Sequence, residues 1–350
     1  MGIKYKTNQV KCDIASYIHY LRGVKKSGKT TLFYQLVKEQ YGDLNKGLLI
    51  SVGDEIGYQA LDGLVYVQPE TWSELDEVVD DLVENKSENS FEIVCLDTAD
   101  EVIKLAMQEV KRLHKVKTGQ KAEFGACFGG YGNPRLKVQE LVDSILAKLR
   151  KAGYGIFVIG HTKIKDVKEK NGDEYQMLTS NLNMDYDGIF SNKADIVSTI
   201  VIEKNIDDKK HINGTSRYIY FRGDGFVDAG GRFANMPEKV EYSAKNYIHA
   251  FEEGVKNAIT QDISDADLKK KIKQEKKERE NTAKEYAENF KNYDEDRNEE
   301  LLPVIKSKYP SASDDIKTKV KDIMAEYEFK KFSDDNIPTI ALEKIVELLG

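Results

Sequence analysis

The segment Gly23-Val24-Lys25-Lys26-Ser27-Gly28-Lys29-Thr30 constrains this chain more than any other. It fits the pattern of glycine, four residues, glycine, lysine and serine or threonine. An apolar run at 17–21 precedes it, and the helix-forming Thr31-Leu32-Phe33-Tyr34-Gln35-Leu36-Val37 follows. A strand, a glycine-rich loop and a helix in that order turn backbone N–H groups and a helix N-terminus toward one point, which suits a phosphate. Gly23 and Gly28 let the backbone curl, and Lys26, Ser27 and Thr31 complete the expected nucleotide lining. Lys29 is expected to reach the β- and γ-phosphates and Thr30 to hold Mg²⁺ through its hydroxyl, so ATP and Mg²⁺ are the expected cofactors.

Such a loop needs a sheet behind it. From position 17 to about 259, short apolar runs alternate with helical patterns, which predicts a mainly parallel sheet flanked by helices, an α/β fold. The expected strands are 17–21, 48–52, 64–67, 92–97, 155–160, 196–203 and 218–222, with helices over 30–41, 71–84, 99–114 and 136–152. Beyond 260 the pattern changes. Residues 269–280 are almost all charged and read as a helical linker or arm. Ile316, Val320, Ile323, Met324 and Tyr327 then make an apolar stripe behind Ser313, a plausible N-cap, and 340–349 adds another apolar helix. The expected division is 1–260 for the nucleotide-binding core, 261–297 for the linker and 298–350 for a small helical module.

A composition of 40% hydrophobic and 32% charged residues supports a packed core under a heavily solvated surface. The net charge of −7 excludes a protein that coats nucleic acid by electrostatics alone, so any such contact has to be local. Cys12, Cys95 and Cys127 lie far apart and outside zinc-ligand spacings, as suits free thiols in a reducing cytoplasm. With no signal-like leader and no run of about 18 apolar residues, a cytoplasmic protein without membrane contact is expected.

Hydrolysis asks for more than the loop. Phe91-Glu92-Ile93-Val94-Cys95-Leu96-Asp97-Thr98 ends a buried strand on a carboxylate, so Asp97 is assigned to the Mg²⁺ shell, with capping of the next helix as the plainer alternative. Leu49-Ile50-Ser51-Val52-Gly53-Asp54-Glu55 ends another strand on two acids. No acid follows Asp97 directly, which favours Glu55 or Asp54 as the group that activates water; a solvated turn is the alternative. His161 closes Phe157-Val158-Ile159-Gly160-His161-Thr162 at the end of the sheet where ligands bind, either as a γ-phosphate sensor or as a structural histidine.

The ordered set of Gly23 to Thr30, Asp97-Thr98, His161-Thr162-Lys163 and Gly230-Gly231-Arg232-Phe233 resembles the phage-encoded AAA-type nucleotide-binding proteins with a RecA-like core, some of which act as single-strand annealing recombination proteins. The resemblance covers about 17–258. It implies a RecA-like P-loop ATPase core that forms homo-oligomers and handles single-stranded DNA in the host cytoplasm.

Two stretches fit that implication as loops. In 115–135, Lys117, Lys121 and Arg135 bring charge and Phe124, Phe128 and Tyr131 bring aromatic faces, the mixture that single strands bind; a lid packing its aromatics on the protein is the alternative. In 161–192, Lys163 and Lys165 bring charge, or the segment is a solvated hairpin turning at Asn171-Gly172. Arg232 is either an arginine supplied to a neighbouring subunit's γ-phosphate or an ordinary surface residue. The competing function is an ATP-gated assembly or loader factor whose C-terminal helices recruit a replication or single-strand binding protein.

Overall fold

The structure is a computed structural model that describes residues 7–206, 211–259, 263–327, 329–334 and 337–350, with the backbone alone at 265 and 291–296. The apolar runs of the first half become strands β1 (Ile18–Gly23), β2 (Gly47–Ser51), β3 (Val65–Val67), β4 (Ile93–Asp97) and β5 (Gly155–Lys168). β6 (Glu174–Ser180), β7 (Ile196–Ile206), β8 (Ile212–Tyr220), β9 (Gly230–Gly231) and β10 (Lys239–Glu241) follow. They form a sheet of order β10-β8-β7-β1-β5-β4-β2-β3, with β6 paired to β5 and β9 to β7. The run from β7 through β3 is parallel, and β8, β10, β6 and β9 pair antiparallel. A mainly parallel sheet between helices is therefore the observed fold class, as expected.

The central strands read as continuous apolar runs because both faces are covered. Tyr20, Val94, Leu96, Ile156 and Val158 face one core. That core is closed by α2 (Trp72–Glu84), α3 (Ala99–Thr118), α4 (Asn133–Lys151) and α5 (Met184–Ser191). Leu21, Ile93, Cys95, Phe157 and Ile159 face the other core, closed by α1 (Lys29–Tyr41) and α6 (Ala244–Ala258). All three cysteines are free and buried.

Both stretches expected as loops are largely ordered elements, and for 161–192 the hairpin alternative is the one observed. β5 runs past Gly160 to Lys168 and folds back on β6, pairing Thr162 with Ser180 and Lys168 with Glu174, so 161–192 is a hairpin followed by α5. The hairpin turns at Asn171-Gly172, where Gly172 has φ 95°. In 115–135, α3 continues to Thr118 and stops at Gly119, whose φ of 73° lets its N–H reach the Lys115 carbonyl. A 3-10 segment, Phe124–Gly129, and the start of α4 take up most of the remainder.

The charged stretch belongs to α7 (Asp265–Lys308), a helix of 44 residues that crosses the expected boundary at 297 without a break; 260–262 lie outside the described residues. Leu268 and Ile272 pack on one core and Tyr286 and Phe290 on the other. Between them, Glu275 accepts from the Cys12 and Asp13 amides at 2.8 and 3.0 Å, and Arg279 pairs with Asp13 and Glu92 at 2.8 and 3.2 Å. The end of α7 joins α8 (Asp314–Glu326) and α9 (Thr339–Leu349) around Leu301, Ile305, Val320, Ile323, Leu342 and Ile345. Ser313 caps α8 by accepting from the Ile316 amide. This cluster meets α3 and α2 through Arg112–Glu326 at 3.5 Å, Lys117–Glu347 at 3.2 Å and Ser73–Tyr327 at 3.2 Å.

Candidate nucleotide site

The loop leaves β1 at Gly23, between Ile200 of β7 and His161 of β5. A Cβ on Gly23 would lie 2.6 Å from Ser27 Oγ, and Gly28 has φ 98°, so both glycines are required by close approach or by conformation. Gly28 is the N-cap of α1, whose first amides have no partner within the helix and no side-chain cap. Lys29 is buried. Its ammonium folds back to donate to the Gly23 and Val24 carbonyls, each at 3.0 Å. Burial lowers its pKa, against the attraction of Asp97, Glu55 and Asp100.

The pair expected to hold the metal is brought together across the sheet. β5 separates β1 from β4, yet Thr30 Oγ1 donates to Asp97 Oδ2 at 2.7 Å, joining the start of α1 to the end of β4. Burial pushes the Asp97 carboxyl up to about 6, and Glu55 adds to the shift while Thr30, Lys29 and His161 oppose it. A hydroxyl and a buried carboxylate on one flank of a curled loop suit a hard, oxygen-seeking cation. Ser27 Oγ is buried beneath the loop without a hydrogen-bond partner. The residues therefore fit Mg²⁺–ATP: Thr30 and Asp97 for the metal, and Lys29 with the 23–31 backbone for the phosphates. Bound there, Mg²⁺ would neutralise phosphate charge. Among the described residues no group of three or more His, Cys, Asp or Glu side chains is placed to hold a metal by itself.

The two acids after β2 part company. Asp54 is 96% exposed and pairs with Lys104 at 3.5 Å, turned away from the loop. Glu55 is half-buried and close enough to Lys29 and Asp97 to act on the protonation of both. The turn that presents it is fastened by Ser51 Oγ, which donates to the Glu55 carbonyl at 2.7 Å, and by Gln68, which donates to the Gly53 and Glu55 carbonyls at 2.9 and 3.2 Å. Gly57 lies so near Thr30 that a Cβ there would be 3.0 Å from Thr30 Oγ1.

His161 stands beside Gly23, fixed by Asp100, which accepts from its backbone N at 3.0 Å and lies 3.3 Å from Nδ1. Asp100 also accepts from Asn181 Nδ2 at 2.8 Å. Burial alone would raise the Asp100 carboxyl, but the bonds from His161 and Asn181 together hold it below the usual range. His161 is thus an oriented imidazole at the edge of the site.

The residues expected to meet DNA do not gather in one place. Phe124 and Phe128 pack on the core, Phe128 edge-on to His114 at 5.3 Å. Lys117 pairs with Glu347, Arg135 with Asp185 at 2.7 Å, and Lys163 donates to the Asn181 carbonyl at 2.9 Å. Lys121 and Lys165 are exposed, and Tyr131 projects fully into solvent. Arg232 is 61% exposed beside Asp195 at 3.3 Å. It sits at the amino end of β7, the opposite end of the sheet from its own phosphate loop.

Sequence reasoning passed over Asp100, Gln68 and Arg22. Arg22 is fully buried next to the loop, donating to the Asp228 carboxylate at 2.9 Å and to its carbonyl at 2.6 Å. An arginine inside an apolar strand was the available signal, since a buried charge requires a partner.

An AAA domain family matches residues 16–233, the stretch from just before β1 to just past β9. No curated protein matches the chain. Among the described residues no helix is long and apolar enough to cross a membrane. A match over more than half the chain, resting on the loop, strand order and carboxylate described above, makes this protein a member of the AAA domain family of P-loop nucleotide-binding ATPases.

Proposed function

We propose that the protein hydrolyses ATP at this loop and uses the cycle to control its hold on single-stranded DNA, as an oligomeric recombination, annealing or replication factor. The observation that carries the hydrolytic part is the Thr30–Asp97 bond with Glu55 beside it. Lys29 and Mg²⁺ take the charge of the phosphates, Glu55 orients the attacking water, and His161 reads the γ-phosphate. The DNA part is supported by the resemblance of the motifs. It is supported also by Lys121, Tyr131 and Lys165, which stay available to a strand and its bases. Phosphate turnover measured with and without single-stranded oligonucleotides, at low and moderate salt, tests it. Stimulation that fades with salt supports DNA as the partner, because released counterions drive that binding. Turnover indifferent to DNA overturns that half.

The second reading, an ATP-gated assembly or loader factor, is favoured by the helical cluster of α7, α8 and α9. It lies outside the matched family region and touches α3, whose N-cap Thr98 follows Asp97 directly.

A further inference from the structure

The phosphate loop has a second flank. On the β2–β4–β5 side stand Glu55, Asp97 and His161. On the β7–β8 side stand Arg217, from β8, and Tyr242, which follows β10. Tyr242 Oη donates to the Gly28 carbonyl at 2.7 Å, and its backbone N donates to the Arg217 carbonyl at 2.9 Å. The Arg217 guanidinium lies over the Tyr242 ring, 4.7 Å from its centroid. A Cβ built on Gly28 would meet Tyr242 Oη at 2.6 Å and Arg217 Nη1 at 2.9 Å. Among the described residues no carboxylate is within ion-pair distance of Arg217, whereas Arg22, Lys239 and Arg279 each have one. An arginine is thus oriented on an aromatic face at the first turn of α1, one hydrogen bond to Tyr242 aside, with no carboxylate taking its charge among the described residues.

We infer that Arg217, held by Tyr242, is a nucleotide-positioning residue that binds the inner phosphates of a nucleoside di- or triphosphate, at the end of the chain away from the metal. The direction follows from the loop. A triphosphate with its γ-phosphate beside Asp97 and Glu55 extends its α-phosphate and nucleoside toward the opposite flank, where a planar guanidinium matches nonbridging phosphate oxygens. The contact is made from within the same chain, and it is shared by ATP and ADP. This sets it apart from a γ-phosphate sensor.

The inference rests on the nucleotide reading of the loop, so the test separates the two. The full chain is titrated calorimetrically with ADP and with a non-hydrolysable ATP analogue, at fixed Mg²⁺, as wild type, Arg217→Gln, Arg217→Lys and Lys29→Ala. The expected result is an equal loss for both ligands in Arg217→Gln, of about 10-fold or more, with a smaller loss in Arg217→Lys, which keeps the charge. Arg217 is exposed and, among the described residues, has no carboxylate partner, so melting of the ligand-free variants should stay close to wild type; if Arg217→Gln does not fold, Arg217→Lys carries the comparison alone. ADP affinity within twofold of wild type, or a loss confined to the ATP analogue, overturns the inference while leaving the nucleotide reading intact. A wild-type chain that binds neither ligand overturns both.

Discussion

Replacing Thr30 by Val keeps the side chain's shape and deletes one hydroxyl, which has two separable consequences. Without ligand, Asp97 Oδ2 loses its 2.7 Å donor inside a buried site. At pH 7.5 the carboxyl, pushed up to about 6, is mostly ionised, so the lost bond is charge-assisted and its removal costs about 2 kcal/mol. Urea unfolding of the ligand-free protein at pH 7.5 should shift by that amount. With ligand, the same hydroxyl is the metal's contact, so the variant should bind ADP normally in EDTA and lose most of the gain that Mg²⁺ gives, about 30-fold for a 2 kcal/mol contact. Calorimetric titration with and without Mg²⁺ reads both states. If Thr30→Val retains the full Mg²⁺-dependent gain, the metal is not held at Thr30 and Asp97, and the reasoning about this pair is refuted.

Two further outcomes rest on neighbouring observations. Glu55→Gln should slow phosphate release by at least about 100-fold with ATP affinity unchanged, since the side chain keeps its size and loses its basicity; equal slowing by Asp54→Asn would mean the exposed acid is the activator. His19 is fully buried, with Nδ1 2.9 Å from Tyr247 Oη and Nε2 3.1 Å from the Ile14 carbonyl, and burial pushes its pKa down from 6.5 to about 4. Between those values the unfolded chain binds more protons than the native one. Stability therefore falls as pH drops from 6.5 toward 4, by about 3 kcal/mol from this residue. His19→Gln should flatten that slope in urea melts; an unchanged slope would mean that His19 is not the group being titrated.

The sequence revealed the parallel core because β1, β4 and β5 are buried on both faces and so read as unbroken apolar runs. The phosphate loop and Asp97 follow from those strands, since each sits at a strand's carboxyl end, and His161 follows because it stands where the buried part of β5 ends. What escaped was structure outside the core. Residues 161–168 and 212–217 form largely exposed hairpin arms that no apolar alternation marks, so in the first only the Asn171-Gly172 turn pointed to a hairpin against the loop reading of its lysines. α7 was read as a linker because two of its inward positions are Glu275 and Arg279, whose burial is satisfied by partners more than 180 residues away. Phe124 and Phe128 belong to the core for a similar reason. Their ring faces meet α3 and α4 only once Gly119 has ended α3 and turned the chain back. Glu55 was separable from Asp54 only through Lys104, one turn into α3.

The proposed function depends on ATP turnover at the loop closed around Lys29. Phosphate release from Mg²⁺–ATP by the full chain, beside Lys29→Ala, measures it directly. Wild type should turn over ATP and the variant should lose at least about 100-fold, because the buried ammonium that now holds the Gly23 and Val24 carbonyls is the charge meant for the β- and γ-phosphates. A wild type without turnover, or a variant as active as the wild type, would contradict it.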